Sequence, residues 1–230
     1  MRLTSRCIAI LTLVSAGKWL TTGQLKRRFF AHASADACRK RLRALAKEGY
    51  LIRRQAHCMA EAVFAVGSEG RRALEKLGVE GSAPERRPPR QLDHLVGIND
   101  LRIAAELTGG MSHFFACWEL PALKWSYPII PDAVFSVGSA SFAAEFDRGM
   151  EGLRFFVRTK LPFYDRGLAG LPLAGVVVIA ENRARMDSLA RVIGERSGSY
   201  WFTTIDQLRR HTLAARIFWR SPDEGQIALV

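Results

Sequence analysis

The sequence has four cysteines and five histidines, and none of them forms a familiar metal-binding pattern. Cys7, Cys38, Cys58 and Cys117 are far apart without a CxxC pair, so neither a zinc site nor a disulfide framework is indicated. The histidines form no HxH or HExxH pattern, which argues against a histidine-built metal centre. Any metal site in this chain would therefore depend on oxygen ligands.

A long hydrophobic run is also missing, and no stretch is long enough to cross a membrane. The first 17 residues, MRLTSRCIAILTLVSAG, combine basic residues with a short apolar run and could be a signal peptide. Cys7, Ile8, Leu11 and Val14 nevertheless repeat at helical spacing, and two further helical patterns follow that need a packing partner. A retained helix in a cytoplasmic protein without membrane contact is the favoured interpretation.

Acidic residues are in deficit, since 34 Lys and Arg stand against 22 Asp and Glu and give a net charge of +12. Such a field attracts a polyanion over about a Debye length. Double-stranded DNA is therefore the predicted partner, against the simpler alternative of a basic protein that is merely soluble. The composition says nothing about oligomeric state.

The segment VEGSAPERRPPRQ, residues 79–91, predicts a boundary between two domains. Its prolines, glycine and like charges cannot bury a core and favour an extended linker. We therefore expect a first domain over residues 1–78 and a second over residues 92–230.

The first domain reads as three helices, two strands and a last helix. Ser34 is a candidate N-cap for the third helix, and Gly49 is its stop signal. Cys38, Leu42, Leu45 and Ala46 share the inner side of that helix, so Lys40, Arg43 and Lys47 face outward.

This order resembles a winged helix-turn-helix domain over about residues 3–78, with its wing near His57. In that family the second helix of the motif enters the major groove and the wing touches phosphate. The resemblance implies DNA contacts from six basic residues, namely Arg39, Lys40, Arg43 and Lys47 on the helix and Arg53 and Arg54 on the wing. The alternative is a protein-binding module with a solvated basic helix.

The second domain begins with a helical pattern, LDHLVGINDLRIAAEL, which precedes the candidate strand HFFACWEL and a predicted hairpin of PDAVFSV and SFAAEFD around Gly138. A helix from about Glu151 follows, and then the strand LAGVVVIA, a helix from about Met186 to Gly194, the strand SYWFTT and a helix near Leu208. Helices that alternate with strands after a hairpin predict a mixed sheet covered on both faces, which is an α/β fold.

Three carboxylates are concentrated in this hairpin. Side chains alternate across a strand, so Glu145 and Asp147 share a face, and pairing through the turn brings Asp132 within reach. Crowded carboxylates repel one another, and Mg²⁺ or Mn²⁺ relieves the repulsion. A metal bound there can activate water for attack on a phosphodiester. The alternative is an exposed hairpin with polar ends.

A Pro-Asp followed by a glutamate on the next strand resembles the PD-(D/E)xK nuclease superfamily. The fuller series is similar to the replication-relaxation family of plasmid and mobile-element proteins, because a winged helix is followed by HLVGIND, WEL, PDA, AEFDRG and KLPFY. That family includes the MOB-C class of relaxases, which nick transfer origins with a restriction-endonuclease-like site. The resemblance implies that the second domain has a restriction-endonuclease-like α/β/α fold.

Residue by residue, the resemblance implies that Asp132 and Glu145 hold the metal, that Asp147 and Glu119 are additional acids, and that Lys160 is the cation near the scissile phosphate. His94, Asn99 and Asp100 match the family's helix motif without an assigned role.

Asp147 stands where the nuclease motif usually has lysine, which puts activity in doubt. Lys160 can replace that lysine because it shares a helical face with Leu153, Phe156 and Val157. The alternative is a lysine that only snorkels at a helix end.

Two functions remain open from the sequence. The first is a metal-dependent DNA-nicking enzyme of plasmid or mobile-element replication or transfer. The second is a non-catalytic DNA-binding accessory or regulatory protein whose nuclease-like domain is a scaffold for other replication or transfer proteins. A tyrosine-dependent relaxase is disfavoured, because no histidine cluster exists to hold its metal.

Overall fold

The computed structural model describes residues 2–56, 59–79, 87–125, 127, 129–150, 152–167, 173–193, 199–221, 223 and 225–229. The chain divides into two compact units, residues 1–99 and 100–230. Of the predicted linker, residues 80–86 lie outside the described residues, as does His57 at the predicted wing.

The described residues of the first unit form four helices, three strands and the beginning of a fifth helix. Its elements are α1 (Ser5–Gly17), β1 (Leu20–Thr21), α2 (Thr22–Phe29), α3 (Ala35–Lys47), β2 (Leu51–Gln55), β3 (Ala62–Val66), α4 (Ser68–Glu75) and the first half of α5 (Leu92–Thr108). The strands form an antiparallel sheet in the order β1-β3-β2. The division between the units falls inside α5.

Side-chain caps explain where the helices of this unit begin. The Ser34 hydroxyl accepts from the backbone N–H of Ala37 at 3.1 Å, as the sequence predicts for α3. Thr21 and Gln24 form a capping box at the start of α2. Such caps satisfy N–H groups that have no partner within the helix.

Asn99 joins the first half of α5 to the end of α1. Its buried side-chain amide donates to the carbonyls of Gly17 at 2.8 Å and Trp19 at 3.2 Å. A Cβ at Gly17 would lie 2.7 Å from Asn99 Oδ1, so the close approach requires glycine. The predicted linker therefore precedes a helix that is itself part of the first unit's packing.

The second unit is built on a mixed five-stranded sheet. Its elements are the second half of α5, β4 (Phe114–Ala116), β5 (Ala133–Val137), β6 (Ala140–Asp147), α6 (Leu153–Phe155), α7 (Leu161–Gly167), β7 (Gly175–Ala180), α8 (Arg183–Ile193), β8 (Tyr200–Thr204) and α9 (Ile205–Arg210). The strand order is β4-β5-β6-β7-β8, antiparallel from β4 to β6 and parallel from β6 to β8. A mixed α/β fold with a mixed sheet is thus confirmed.

The predicted hairpin is present, and Gly138 in its turn has a φ of 60°, a conformation that favours glycine. The predicted strand HFFACWEL is shorter than expected, because β4 ends at Ala116 and a 3₁₀-helix follows at Leu120–Leu123. The Glu119 carboxylate accepts the N–H of Ala116 at 2.8 Å, which turns the chain away from the sheet.

The predicted helix from about Glu151 begins at Leu153 in the structure, and Glu151 itself lies outside the described residues. It runs on through a π-helical turn at Phe156–Lys160 into α7. Pro162 follows this turn and cannot donate a helical hydrogen bond, which disfavours a regular α-helix at this point. The inner side of this segment and α8 pack on one face of the sheet, around Val176 and Val178.

In the described part of the chain, no helix is both long enough and apolar enough to cross a membrane.

Candidate functional site

Asp132 and Glu145 lie side by side on the β5–β6 hairpin. Ala133 pairs with Ala144, so the same antiparallel register places Asp132, just before β5, opposite Glu145. Asp132 Oδ2 accepts the backbone N–H of Phe146 at 2.8 Å, which orients the aspartate along the neighbouring strand. The structure therefore brings together the two carboxylates predicted as metal ligands.

Glu145 is almost completely buried and has two side-chain donors. Lys160 Nζ donates to Glu145 Oε2 at 2.7 Å, and the Tyr164 hydroxyl donates to Oε1. Burial, followed by the negative charge of Asp132, raises the pKa of Glu145 to about 7 despite these donors. The two carboxylates are thus close enough to repel each other. We call Asp132, Glu145, Lys160 and Tyr164 the Glu145 cluster.

Lys160 reaches Glu145 from the last position of the π turn. The lysine side chain is 28% exposed and forms an ion pair, so it does more than extend into solvent. π turns occur frequently at functional sites, since they shift the side chains that follow relative to an α-helix. The sequence suggested the inward direction of Lys160, whereas the π turn was not predicted.

Tyr164 follows on α7 and is buried against Glu145. Burial and then the charge of Glu145 raise the pKa of its phenol well above the usual value. The hydroxyl is therefore a hydrogen-bond donor that orients the carboxylate. Sequence reasoning noted this tyrosine in KLPFY without a role, and its spacing of four from Lys160 is the signal that places both on one helical side.

Asp147 is in a different setting, although strand alternation places it on the same face as Glu145. Arg185 of α8 binds both of its oxygens, at 2.8 and 2.9 Å, and the N–H of Gly149 donates to Oδ1 at 2.6 Å. This bidentate pairing holds the Asp147 carboxylate in one orientation at the end of β6. Sequence reasoning missed Arg185.

Glu119 is held separately as well. Arg102 of α5 donates to its carboxylate and also lies over the Phe114 ring, with the guanidinium carbon 4.6 Å from the ring centroid. Within the described ranges, no group of three or more His, Cys, Asp or Glu side chains lies close enough to hold a metal. The four predicted acids therefore do not form a single group.

In the first unit, the six predicted DNA-contacting residues are all exposed, namely Arg39, Lys40, Arg43, Lys47, Arg53 and Arg54. Cys38, Leu42 and Leu45 form the buried side of α3, as predicted. Asp36 lies 3.9 Å from Arg43, so the outer side of α3 is basic with one acid near its start. We call Lys40, Arg43 and Lys47 together with Arg39 the α3 basic surface.

The helix motif HLVGIND receives structural roles at two positions. Asn99 holds the end of α1, as described above. Asp100 accepts from Arg209 of α9 at 2.9 Å and is itself almost buried. Each of these bonds fastens α5 to another element of the same unit, which is a packing role.

A family model described as replication-relaxation matches residues 11–169, about two thirds of the chain. The chain belongs to the replication-relaxation family. The matched part of this replication-relaxation protein includes the α3 basic surface and the whole Glu145 cluster, and it ends before β7. No curated protein and no solved structure matches the chain.

Proposed function

We propose that this replication-relaxation protein binds double-stranded DNA through its first unit and nicks one strand at the Glu145 cluster, during replication or transfer of a plasmid or mobile element. The observation that carries the proposal is the geometry of Asp132, Glu145 and Lys160. Two carboxylates on neighbouring strands lie beside a lysine whose Nζ is 2.7 Å from one of them. Paired acids next to a cation are what phosphodiester hydrolysis requires.

Asp132 and Glu145 have a donor set that fits Mg²⁺ or Mn²⁺. Mg²⁺ is commonly bound by one or two carboxylates, with water and substrate phosphate as the other ligands. The charge of Asp132 contributes to the raised pKa of Glu145, and a divalent cation would relieve that repulsion. A carboxylate has about four lone-pair sites, and Lys160 and Tyr164 use two of those on Glu145. The metal would supply Lewis acidity and a water of lowered pKa.

Lys160 and Tyr164 of the Glu145 cluster would have separate roles in the reaction. Attack of a water oxygen on phosphorus forms one P–O bond, breaks another and adds negative charge to the phosphate oxygens. The Lys160 ammonium is the group of the cluster that would stabilise this charge. Tyr164 would keep the Glu145 carboxylate oriented throughout, because its own proton stays on the phenol.

A winged helix-turn-helix arrangement is proposed for the first unit. Two helices joined by a short turn, α2 and α3, precede the antiparallel pair of β2 and β3, as in such domains. The α3 basic surface would enter the major groove, and Arg53 and Arg54 on β2 would touch phosphate. The mixed sheet of the second unit would then be of the restriction-endonuclease type.

One observation favours a second candidate, a DNA-binding accessory protein without catalysis. The Glu145 carboxylate already accepts from Lys160 and Tyr164, and Arg185 neutralises Asp147. These ion pairs would hold the π turn and α8 against β6 with no metal present. A scaffold of this kind would assemble other replication or transfer proteins on DNA.

The two candidates differ in what happens to supercoiled plasmid. Incubation with the protein and Mn²⁺ should give open circles, and EDTA should abolish them. The Asp132→Ala variant, purified in the same way, controls for contaminating nuclease. Binding to plasmid without open circles, at any Mn²⁺ or Mg²⁺ concentration, would select the accessory protein.

A further inference from the structure

The outer side of the helical segment Leu153–Gly167 exposes two aromatic rings. Phe155 is 49% exposed and Phe163 is 37% exposed, whereas Phe156, Leu161 and Tyr164 of the same segment are buried. Leaving large rings in water is unfavourable, since a buried phenylalanine gains about 1.5–3 kcal/mol over an exposed one. Exposed apolar surface that is rimmed by polar residues is typical of an interaction site.

Three arginines lie on the same helical segment as these rings. Arg154, Arg158 and Arg166 are all exposed, and the guanidinium carbon of Arg166 lies 5.6 Å from the Phe163 ring centroid. Asp165, the acid within residues 152–167, accepts from the Tyr200 hydroxyl at 2.9 Å. We call Arg154, Phe155, Arg158, Phe163 and Arg166 the outer strip, and its charge is positive.

The outer strip and the Glu145 cluster lie on the same stretch of helix. Lys160 and Tyr164 point from this segment to Glu145, and Tyr164 directly follows Phe163 in the chain. The strip is on the solvent side of the segment and Lys160 points from it to the buried Glu145, so a ligand held on the strip would lie about one helix diameter from the Glu145 cluster.

We propose that the outer strip binds single-stranded DNA, with bases stacked on Phe155 and Phe163 and phosphates paired with the three arginines. The proposal rests on the proposed function and names the form of DNA held beside the cleavage site. Single strands expose the faces of their bases, and proteins bind them with aromatic rings inside a basic surface. Duplex DNA offers phosphates but no free base faces. An acidic protein would use the arginines without needing the rings.

The test measures binding without cleavage, in EDTA, by fluorescence anisotropy of the full chain. The first probe is a labelled oligodeoxythymidine of about 12 nucleotides, within the lengths that single-strand sites cover. The second probe has the same length and phosphates but abasic sugars. The Phe155→Ala/Phe163→Ala variant should bind oligodeoxythymidine about tenfold more weakly or worse, with unchanged affinity for the abasic probe.

Matched controls separate stacking from loss of apolar surface. Leu123→Ala/Val192→Ala removes two apolar side chains of similar exposure elsewhere and should leave both affinities unchanged. Phe155→Leu/Phe163→Leu keeps apolar bulk without the rings and should behave like the alanine pair, which preserves the test if the alanine pair unfolds. Phe155→Trp/Phe163→Trp should retain binding.

The proposal is overturned if the alanine and leucine pairs bind oligodeoxythymidine like the unchanged protein. It is also overturned if the unchanged protein binds both probes equally, because the strip would then be only electrostatic. Plasmid nicking, measured in parallel, keeps the two proposals distinct. Ring-dependent binding by a protein that never nicks rejects the nicking alone, and normal nicking with ring-independent binding rejects the strip alone.

Discussion

The α3 basic surface and the basic residues around the second sheet differ in what they contact. Arg39, Lys40 and Lys47 are exposed on one side of a helix. Lys160, Arg185 and Arg102, in contrast, each contact a carboxylate at least partly withdrawn from solvent. Charges of the first kind act on a partner at a distance and are screened by salt. Charges of the second kind hold acids in fixed positions, which a catalytic site needs.

Replacing the two carboxylates of the Glu145 cluster should have the largest effect on nicking. Glu145→Ala and Asp132→Ala should each reduce plasmid nicking in Mn²⁺ to the background without protein, because each removes one of the two proposed metal ligands. Binding to duplex DNA should stay unchanged, since the α3 basic surface is intact. Nicking at the normal rate by either variant would show that the Glu145 cluster is not the reaction site.

Replacing the paired lysine should have the next largest effect. Lys160→Ala should slow nicking by roughly 10²-fold or more, as loss of one transition-state donor does. Metal affinity should be kept or slightly raised, because a nearby cation is removed. Lys160→Arg should restore only part of the rate, since the guanidinium keeps the charge but not the compact shape.

Asp147 provides the comparison for Lys160. If Lys160→Ala retains full activity while Asp147→Ala abolishes it and reduces the metal requirement from two ions to one, then Asp147 holds a second metal and Lys160 is only structural. The bidentate bond from Arg185 predicts instead that Asp147→Ala mainly lowers stability.

Variants at Asn99 test whether this residue of the HLVGIND motif acts only in packing. Asn99→Ala should lower the free energy of unfolding in urea by about 2 kcal/mol or more, because two carbonyls lose their donor. Asn99→Asp should cost more, since a carboxylate faces those carbonyls without a proton to donate. Arg39→Ala, on the exposed surface, should change stability by less than about 0.5 kcal/mol. A larger loss in Arg39→Ala than in Asn99→Ala would refute the packing role.

The smallest effects are expected on the α3 basic surface. Arg43→Ala and Lys47→Ala should each weaken duplex binding and lower the salt slope by about one for each phosphate that the side chain neutralises. Replacing a residue that contacts a base would instead relax the preference for particular DNA sequences. Unchanged affinity and unchanged salt dependence in both variants would indicate that the first unit contacts protein. Titrations in increasing salt distinguish these cases.

The hairpin and the exposed basic residues could be predicted because they follow local periodicity. Alternation along SFAAEFD and the turn at Gly138 fix the register that brings Asp132 to Glu145. Helical spacing likewise places Arg43 and Lys47 outside. These features depend on neighbours within about 15 residues, and their physical causes can be read along the chain.

The partners of the other acids could not be predicted in this way. Arg185 lies 38 residues from Asp147 in sequence, and their contact depends on the parallel pairing of β6 with β7. Glu119 likewise meets Arg102 through a helix that precedes the sheet. Glu145 and Asp147 share a face of β6, yet Glu145 pairs with Lys160 of the π turn and Asp147 pairs with Arg185 of α8. Strand alternation alone cannot predict this difference.

Because of the π turn at Phe156–Lys160, the geometry of the Glu145 cluster depends on the number of residues in the segment Leu153–Gly167. Removing one residue there would restore ordinary α-helical winding and rotate the helix on one side of the deletion by about 100° relative to the other. Phe156 lies in the core and Leu153 packs against it, so with this end of the segment held in place the rotation would turn Lys160 and Tyr164 away from Glu145. Relatives that keep this site should therefore vary in residue type along the segment while gaining or losing residues only outside it.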